Sequence, residues 1–390
     1  MVTRARIRSG EQVSALELFF DLVFVFAITQ VTALMAADGG WQGLAQGLLV
    51  LAVVWWTWAG YAWLTNTMDP EDGLVRLTIF GAMGAMLLVS LAVPHAFGDD
   101  ALLFAVAYLL VRAAHIVVYS LADRTDAELR RAVTTLVPGT LVGTALLVLA
   151  STQDGLSQGL FWVLAVVLDY AGPALFGVRG WHMSPAHFAE RHALVIIIAL
   201  GESIVALGIG AEGVPLGPGV VTAALLGITV ACALWWAYFD VVALVAERRL
   251  REAVGEAQLR MARDSYSYLH LPMVAGIVLL AFGAKKTLAH VDEPLKLVPT
   301  VGLCGGAALY LLAHVAFRLR NVGSLNRQRV VASALLLALI PLSVAVGLPA
   351  LGTLALTAAV AAGLITYEAI RFSEARARVR HAEAPPALQD

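Results

Sequence analysis

Glu17 and Asp21 stand one helical turn apart in the stretch LELFFDLVFVFAITQ (16–30). The residues around them are apolar, so both carboxylates fall inside a segment that reads as a membrane helix. A charge near the centre of such a helix costs about 2.5–3.5 kcal/mol on insertion scales, and chains that keep one use it in ion pathways, proton relays or pairing. On a helix, Glu17, Asp21, Phe24, Ile28, Thr32 and Met35 form one stripe. Facing a cavity, that stripe would guide a cation or a proton; the plainer alternative is that Asp21 only locks neighbouring helices. ERHALVIIIALGESIVALGIG (190–210) repeats the device with Glu202, followed by Ser203. Two carboxylates at matching places in the chain would share a proton or a bound cation if they face each other. The alternative is that each pairs with a basic neighbour.

Arg112, His115, Asp169, Asp240, His270 and His314 also fall at membrane depth. Arg112 is the natural counter-charge for one of the acids, and such a buried pair is often purely structural. His115 and His314 lie near span ends and read as interface or packing residues. His270 precedes Pro272 and follows Tyr266 and Tyr268, which puts a polar patch and a helix break together; broken helices at membrane depth commonly line cavities. In NTMDPED (66–72), Asn66, Asp69 and Asp72 are three apart. That spacing suits a Mg2+ site for a diphosphate, yet Asp69 before Pro70 is equally a helix start, with an N-cap, Pro at N1 and acids in the first turn. Trp55, Trp56, Trp58, Tyr61 and Trp63 crowd one span, as packing or as the wall of an apolar pocket.

Positioning these residues is the task of a polytopic helical protein. The chain of 390 residues is 60% hydrophobic and 14% charged, with a mean hydropathy of +0.81, outside the range of soluble domains. A net charge of -2 gives no support for a nucleic-acid partner, and two cysteines without a CxxC suggest neither a disulfide framework nor a thiolate metal site. Twelve apolar runs reach the ~20 residues needed to cross the bilayer, at roughly 15–36, 43–65, 74–95, 101–121, 131–151, 158–178, 192–210, 217–246, 265–284, 297–317, 328–347 and 350–371. Of the 26 Lys and Arg, Lys285, Lys286 and Lys296 fall on one side of this arrangement and Arg112 within a span, which leaves 22 on the other side. By the positive-inside rule both termini face the cytoplasm.

The chain also reads as duplicated. Trp55-Trp56 followed by Tyr61 matches Trp235-Trp236 followed by Tyr238, and YLLVRAAH (108–115) matches YLLAHVAF (310–317). Six spans per half give parallel repeats. The expected layout is a cytoplasmic N-terminus at 1–14, repeats at 15–180 and 190–371, and a disordered cytoplasmic tail at 372–390.

The frames LELFFDLVFV, WLTNTMDPEDGLVRL, ERHALVIIIALGES and YSYLHLPMVAGIV, in that order, resemble the bacterial low temperature requirement protein A family up to about Arg371. The resemblance implies a polytopic membrane protein. More distantly, FFDLVFVFAIT (19–29) is similar to the F-S-D-x-V-F-A-I-x-x-T signature of the lysosomal and bacterial potassium channels built from six-helix repeats. Asp21 falls on the signature aspartate and Thr29 on its threonine, while Phe20 replaces the serine and Glu17 stands near the place of a preceding arginine. What this likeness implies is a two-repeat, channel-like architecture.

Together these readings give an all-α protein of about twelve spans in a bacterial inner membrane. Its expected role is channel or secondary transporter for a small ion or molecule, with Glu17, Asp21, Thr29, Glu202, Ser203, Arg112, Asp169, Asp240 and His270 as pathway candidates. No cofactor is expected, and the partners are the lipid bilayer and a second copy of the chain. The alternative is a membrane enzyme acting on a lipid or prenyl diphosphate, with Mg2+ at Asn66, Asp69 and Asp72. The topology has a direct test. An impermeant thiol reagent should label Lys286→Cys in intact cells and leave Arg251→Cys unlabelled; the opposite pattern would invert the topology.

Overall fold

The computed structural model describes residues 12–121, 127–177, 180–181 and 183–381. Among them the chain is almost wholly helical, and an antiparallel bridge joins Pro294 and Pro349. The helices are α1 (Ala15–Asp38), α2 (Trp41–Thr67), α3 (Gly73–Ala92), α4 (Ala101–Leu121), α5 (Ala127–Ala150), α6 (Gly155–Phe176), α7 (Pro185–Gly210) and α8 (Pro218–Phe239). There follow α9 (Val242–Glu252), α10 (Gly255–Met261), α11 (His270–Ala289), α12 (Leu297–Thr300), α13 (Gly306–Val322), α14 (Arg327–Val346), α15 (Ala350–Arg371) and α16 (Ser373–His381). Two π-helical segments, Ala262–Tyr268 and Val301–Gly305, lead into α11 and α13.

Eleven helical stretches among the described residues are long and apolar enough to cross a membrane. The remaining expected span coincides with α5, which has the length and, among the residues searched, holds the apolar helix Val137–Ala150. The side-chain pattern is that of a protein solvated by lipid. On α1, Phe19 and Leu22 are 54% and 59% exposed, whereas Glu17 and Asp21 are 1% exposed. In water that arrangement would be inverted; in hydrocarbon, polar groups must find protein partners and apolar ones can face outward. The whole stripe read from the sequence, Glu17 to Met35, is buried.

The helix ends follow their local chemistry. Ser14 and Glu17 make a reciprocal capping box at the start of α1. Gly39, at φ 64°, closes α1 in the left-handed conformation that glycine adopts without steric cost. Asp38 Oδ2 then accepts from Gly40 and Gly43 N–H, each at 2.9 Å, so one carboxylate joins two helices.

The chain divides into two compact units. The first comprises Met1–Ile198 with Ala253–Leu271, and the second Ala199–Glu252 with Pro272–Asp390. This line differs from the sequence halves, because residues 253–271 lie with the first unit although they follow α8 in the chain. In the first unit α1 packs on α2 and α3, α3 on α4, and α5 on α4 and α6. Tyr61 of α2 donates to Val111 O of α4 at 2.9 Å. In the second unit α8 packs on α15, and α14 on α13 and α15. There Tyr310 of α13 donates to Leu234 O of α8 at 2.9 Å. Small residues let backbones meet: a Cβ on Gly283 would lie 2.4 Å from Leu303 N, and one on Gly306 2.5 Å from Leu280 N. Close approach through glycine is how helices associate where no hydrophobic force separates protein from solvent.

The tail expected to lack order holds α16 at Ser373–His381. Its Arg376 and Arg380 both pair with Asp240 at the end of α8. The acid is 8% exposed, and it draws the polar segment back onto the protein.

Candidate functional site

α7 begins at Pro185, seven residues before the span start read from the sequence. Pro at the first helical position is favourable, and the extension moves His187 and Arg191 from a loop into the helix. They are four residues apart, as Glu17 and Asp21 are on α1, so each pair shares one helix face. The two faces meet. Arg191 Nη1 and Nη2 donate to Asp21 Oδ2 and Oδ1 at 2.9 and 3.0 Å, a two-pronged pair. Nη1 also donates to Glu17 O at 3.0 Å. Trp58 Nε1 donates to Asp21 Oδ1 at 3.0 Å, and its ring lies 5.7 Å from the Arg191 guanidinium carbon. Arg191 Nε makes no hydrogen bond and lies 3.9 Å from Glu17 Oε1.

The other half of the cluster assigns its own protons. Ser184 N–H donates to Asn66 Oδ1 at 2.7 Å, which fixes the amide orientation. Asn66 Nδ2 therefore donates to Ser184 O at 3.1 Å and to His187 Nδ1 at 2.8 Å. With Nδ1 accepting, the ring proton of His187 sits on Nε2, which donates to Glu17 Oε1 at 2.9 Å. The imidazole is neutral in this arrangement. Glu17 Oε2 accepts from Ser14 N and Oγ at 2.9 and 3.0 Å. Glu17, Asp21, His187 and Arg191 are all 1% exposed or less.

Asp21 thus takes a basic neighbour, Arg191, as its partner, the second of the two arrangements open from the sequence. Glu202, in the second unit, is buried at 1% exposure. Ser203 beside it is 4% exposed, and its Oγ has no hydrogen-bond partner among the described residues. Thr29 lies off the buried stripe and donates to Val25 O at 3.1 Å, a bond within its own helix.

Arg112 does pair with an acid, and that acid is Asp169: Nη2 to Oδ1 is 3.2 Å, with Tyr108 Oη donating to Oδ2 at 2.5 Å. His270 Nδ1 lies 3.0 Å from Ser265 O, a carbonyl of the π segment, and its ring stacks on Tyr266. α11 runs on through Pro272, so the expected helix break is a π segment one turn earlier. That segment also receives Trp55 Nε1 at Ser267 O (2.7 Å) and Trp63 Nε1 at Ser267 Oγ (2.9 Å). π turns expose carbonyls in this way and recur at functional sites.

In the second unit Arg329 grips both oxygens of Glu368, at 3.1 and 3.0 Å, and donates to His314 Nδ1 at 2.8 Å and to Ala237 O at 3.0 Å. Arg191 and Arg329, counted as cytoplasmic from the sequence, are 0% and 5% exposed.

Asn66, Asp69 and Asp72 are put to three different uses. Asn66 is buried against Ser184 and His187. Asp69 Oδ1 accepts from Glu71 N–H at 3.0 Å and its carbonyl from Asp72 N–H at 3.1 Å, a turn with Pro70 inside it. Asp72 is the N-cap of α3, accepting from Leu74 N–H at 3.2 Å. The cap is therefore Asp72 and not Asp69, because Pro70 suits the second position of a turn as well as the first of a helix. Among the described residues no group of three or more His, Cys, Asp or Glu is placed to hold a metal ion.

Residues 12–366 match the family described as bacterial low temperature requirement A protein (LtrA). The chain belongs to that family. It is 31% identical over 305 residues to an uncharacterised protein of Rhizobium meliloti (strain 1021), covering 70% of this chain and 69% of the relative. The whole cluster, Ser14 through Arg191, lies within the span of the LtrA match.

A buried pair loses far more when one member is removed than when both are, because the remaining charge has no solvent. Asp21→Asn and Arg191→Gln should each destabilise the protein in detergent by about 3–5 kcal/mol. The double variant should cost less than the sum by about 1–3 kcal/mol. Additive losses in chemical unfolding would show that the two side chains do not act as a pair.

Proposed function

We propose that the chain is a proton-coupled secondary transporter of the bacterial inner membrane, with both termini in the cytoplasm. The observation that carries this reading is His187 held between Glu17 Oε1 and Asn66 Nδ2 inside a buried ion cluster. The Arg112–Asp169 and Arg329–Glu368 pairs depend on cations that stay charged at any working pH. The α1–α7 cluster instead sets a histidine directly on a carboxylate, whereas His314 accepts from Arg329, and intramembrane chains of acids and histidines are the relays of pumps and transporters.

The geometry suggests how a proton would do work. A second proton on His187 must go to Nδ1, where it would face the Asn66 amide N–H2 group. Asn66 must then turn, which breaks both of its bonds to Ser184 and frees the end of α2 from the connection before α7. The imidazolium keeps its Nε2–H bond to Glu17 Oε1, now strengthened by charge, with Arg191 Nε 3.9 Å from the same oxygen. Protonation thus exchanges one set of contacts for another, as coupling requires. Both carboxylates are closed off by protein donors in this state, which favours a gated carrier over an open pore. The duplicated six-span repeat fits the same reading.

Reconstituted into liposomes with an internal pH dye, the protein should carry protons when its substrate is present. His187→Gln, which keeps an acceptor and a donor but cannot be charged, should lower proton flux at least tenfold while remaining monodisperse. Undiminished flux in His187→Gln would refute the coupling role.

A further inference from the structure

We infer that the first unit holds a binding site for a small carboxylate, in a cavity walled by tryptophans whose charged or titratable lining, among the described residues, is all basic. The cavity is about 60 Å³ and is bounded by one face of α2 (Trp56, Ala59, Gly60 and Trp63), by Arg112 and His115 of α4, and by Arg263 and Ser267 of the π segment. At roughly 10–15 Å³ for each water-sized group, it has room for about four to six heavy atoms.

Two observations give it a ligand. Arg112 and His115, each 4% exposed, both line the space, and Arg112 Nε and His115 Nε2 have no hydrogen-bond partner among the described residues. Buried polar atoms are seldom left without a partner, so two at one cavity point to a group that completes them. The described charged or titratable residues at the wall are Arg112, His115 and Arg263, with no Asp or Glu. Arg112 is held in place by Asp169 and Thr140, and Arg263 by Asp264 and Pro173 O. Their orientation is thus fixed before any ligand arrives. A carboxylate oxygen accepts from Arg112 Nε–H beside the His115 ring, and a body of two or three carbons lies against the indoles. Since Asp169 already offsets much of the Arg112 charge, binding is weak, in the millimolar range that suits release from a carrier.

As the substrate site, this cavity rests on the transporter reading; as a binding site it does not. Saturation-transfer difference NMR on the full chain in micelles, with protein-free micelles as control, should show saturable contact with propionate and none with propionamide or propylammonium. Ala59→Leu, which fills the space, and the charge-balanced pair Arg112→Gln with Asp169→Asn should each weaken propionate binding at least tenfold. Equal binding of propionamide, or an undiminished signal in Ala59→Leu, overturns the site. Propionate bound but never transported leaves the site standing and refutes transport. Proton flux without saturable propionate binding refutes the site alone.

Discussion

Arg191 has no exposed surface, and a guanidinium without water must be met entirely by protein. That requirement organises the first unit. Asp21 supplies both oxygens, the α1 backbone supplies Glu17 O, and Trp58 of α2 closes the pair from the side. Three helices are fixed by one cation. Had α1 been rotated to expose Asp21 to lipid, the arginine would be left unpaired, so the inward turn of the whole stripe from Glu17 to Met35 is set by this contact. The apolar residues Phe19 and Leu22 face outward for the same reason.

What separates this cluster from the others is a histidine set against a carboxylate: His187 bonds Glu17, whereas His314 accepts from Arg329. Asp169 with Arg112 and Glu368 with Arg329 are direct ion pairs that lock helices together. The α1–α7 cluster adds Glu17 and a neutral imidazole whose one proton the Asn66 amide assigns. A lock would need no such member. The aromatic span α2 serves both purposes at once: Trp55 and Trp58 hold structure through their indole N–H groups, and Trp56 and Trp63 face the cavity.

Much of this was legible in the chain. Hydropathy gave the spans, and the four-residue spacing of Glu17 and Asp21 gave a buried polar face on α1. The partner face was hidden by a boundary. With the seventh span begun at residue 192, Arg191 counted as a cytoplasmic charge and His187 as loop. Pro185 was the missed signal, since Pro opens a helix readily and places both residues in the first two turns. Asp240 was recognised as buried, but its partners lie on α16, in a tail whose polarity alone suggested no order. Local patterning cannot show that a distant acid will fold a charged segment onto the protein. The NTMDPED motif reads as a helix start ahead of a metal site, and its cap falls at Asp72 where Asp69 was expected: backbone N–H groups donate to Asp69 and Asp72, and Asn66 bonds His187.

The protonation state of His187 is the point on which the account turns. Imidazole nitrogen NMR of histidine-labelled protein, assigned by comparison with His187→Gln, would report it directly. Near neutral pH the ring should be uncharged with its proton on Nε2, and acidification should add a proton at Nδ1. That change should be accompanied by a shift of the labelled Asn66 amide as its bonds to Ser184 break. A ring protonated on both nitrogens across the whole pH range, or a neutral ring with its proton on Nδ1, would contradict it.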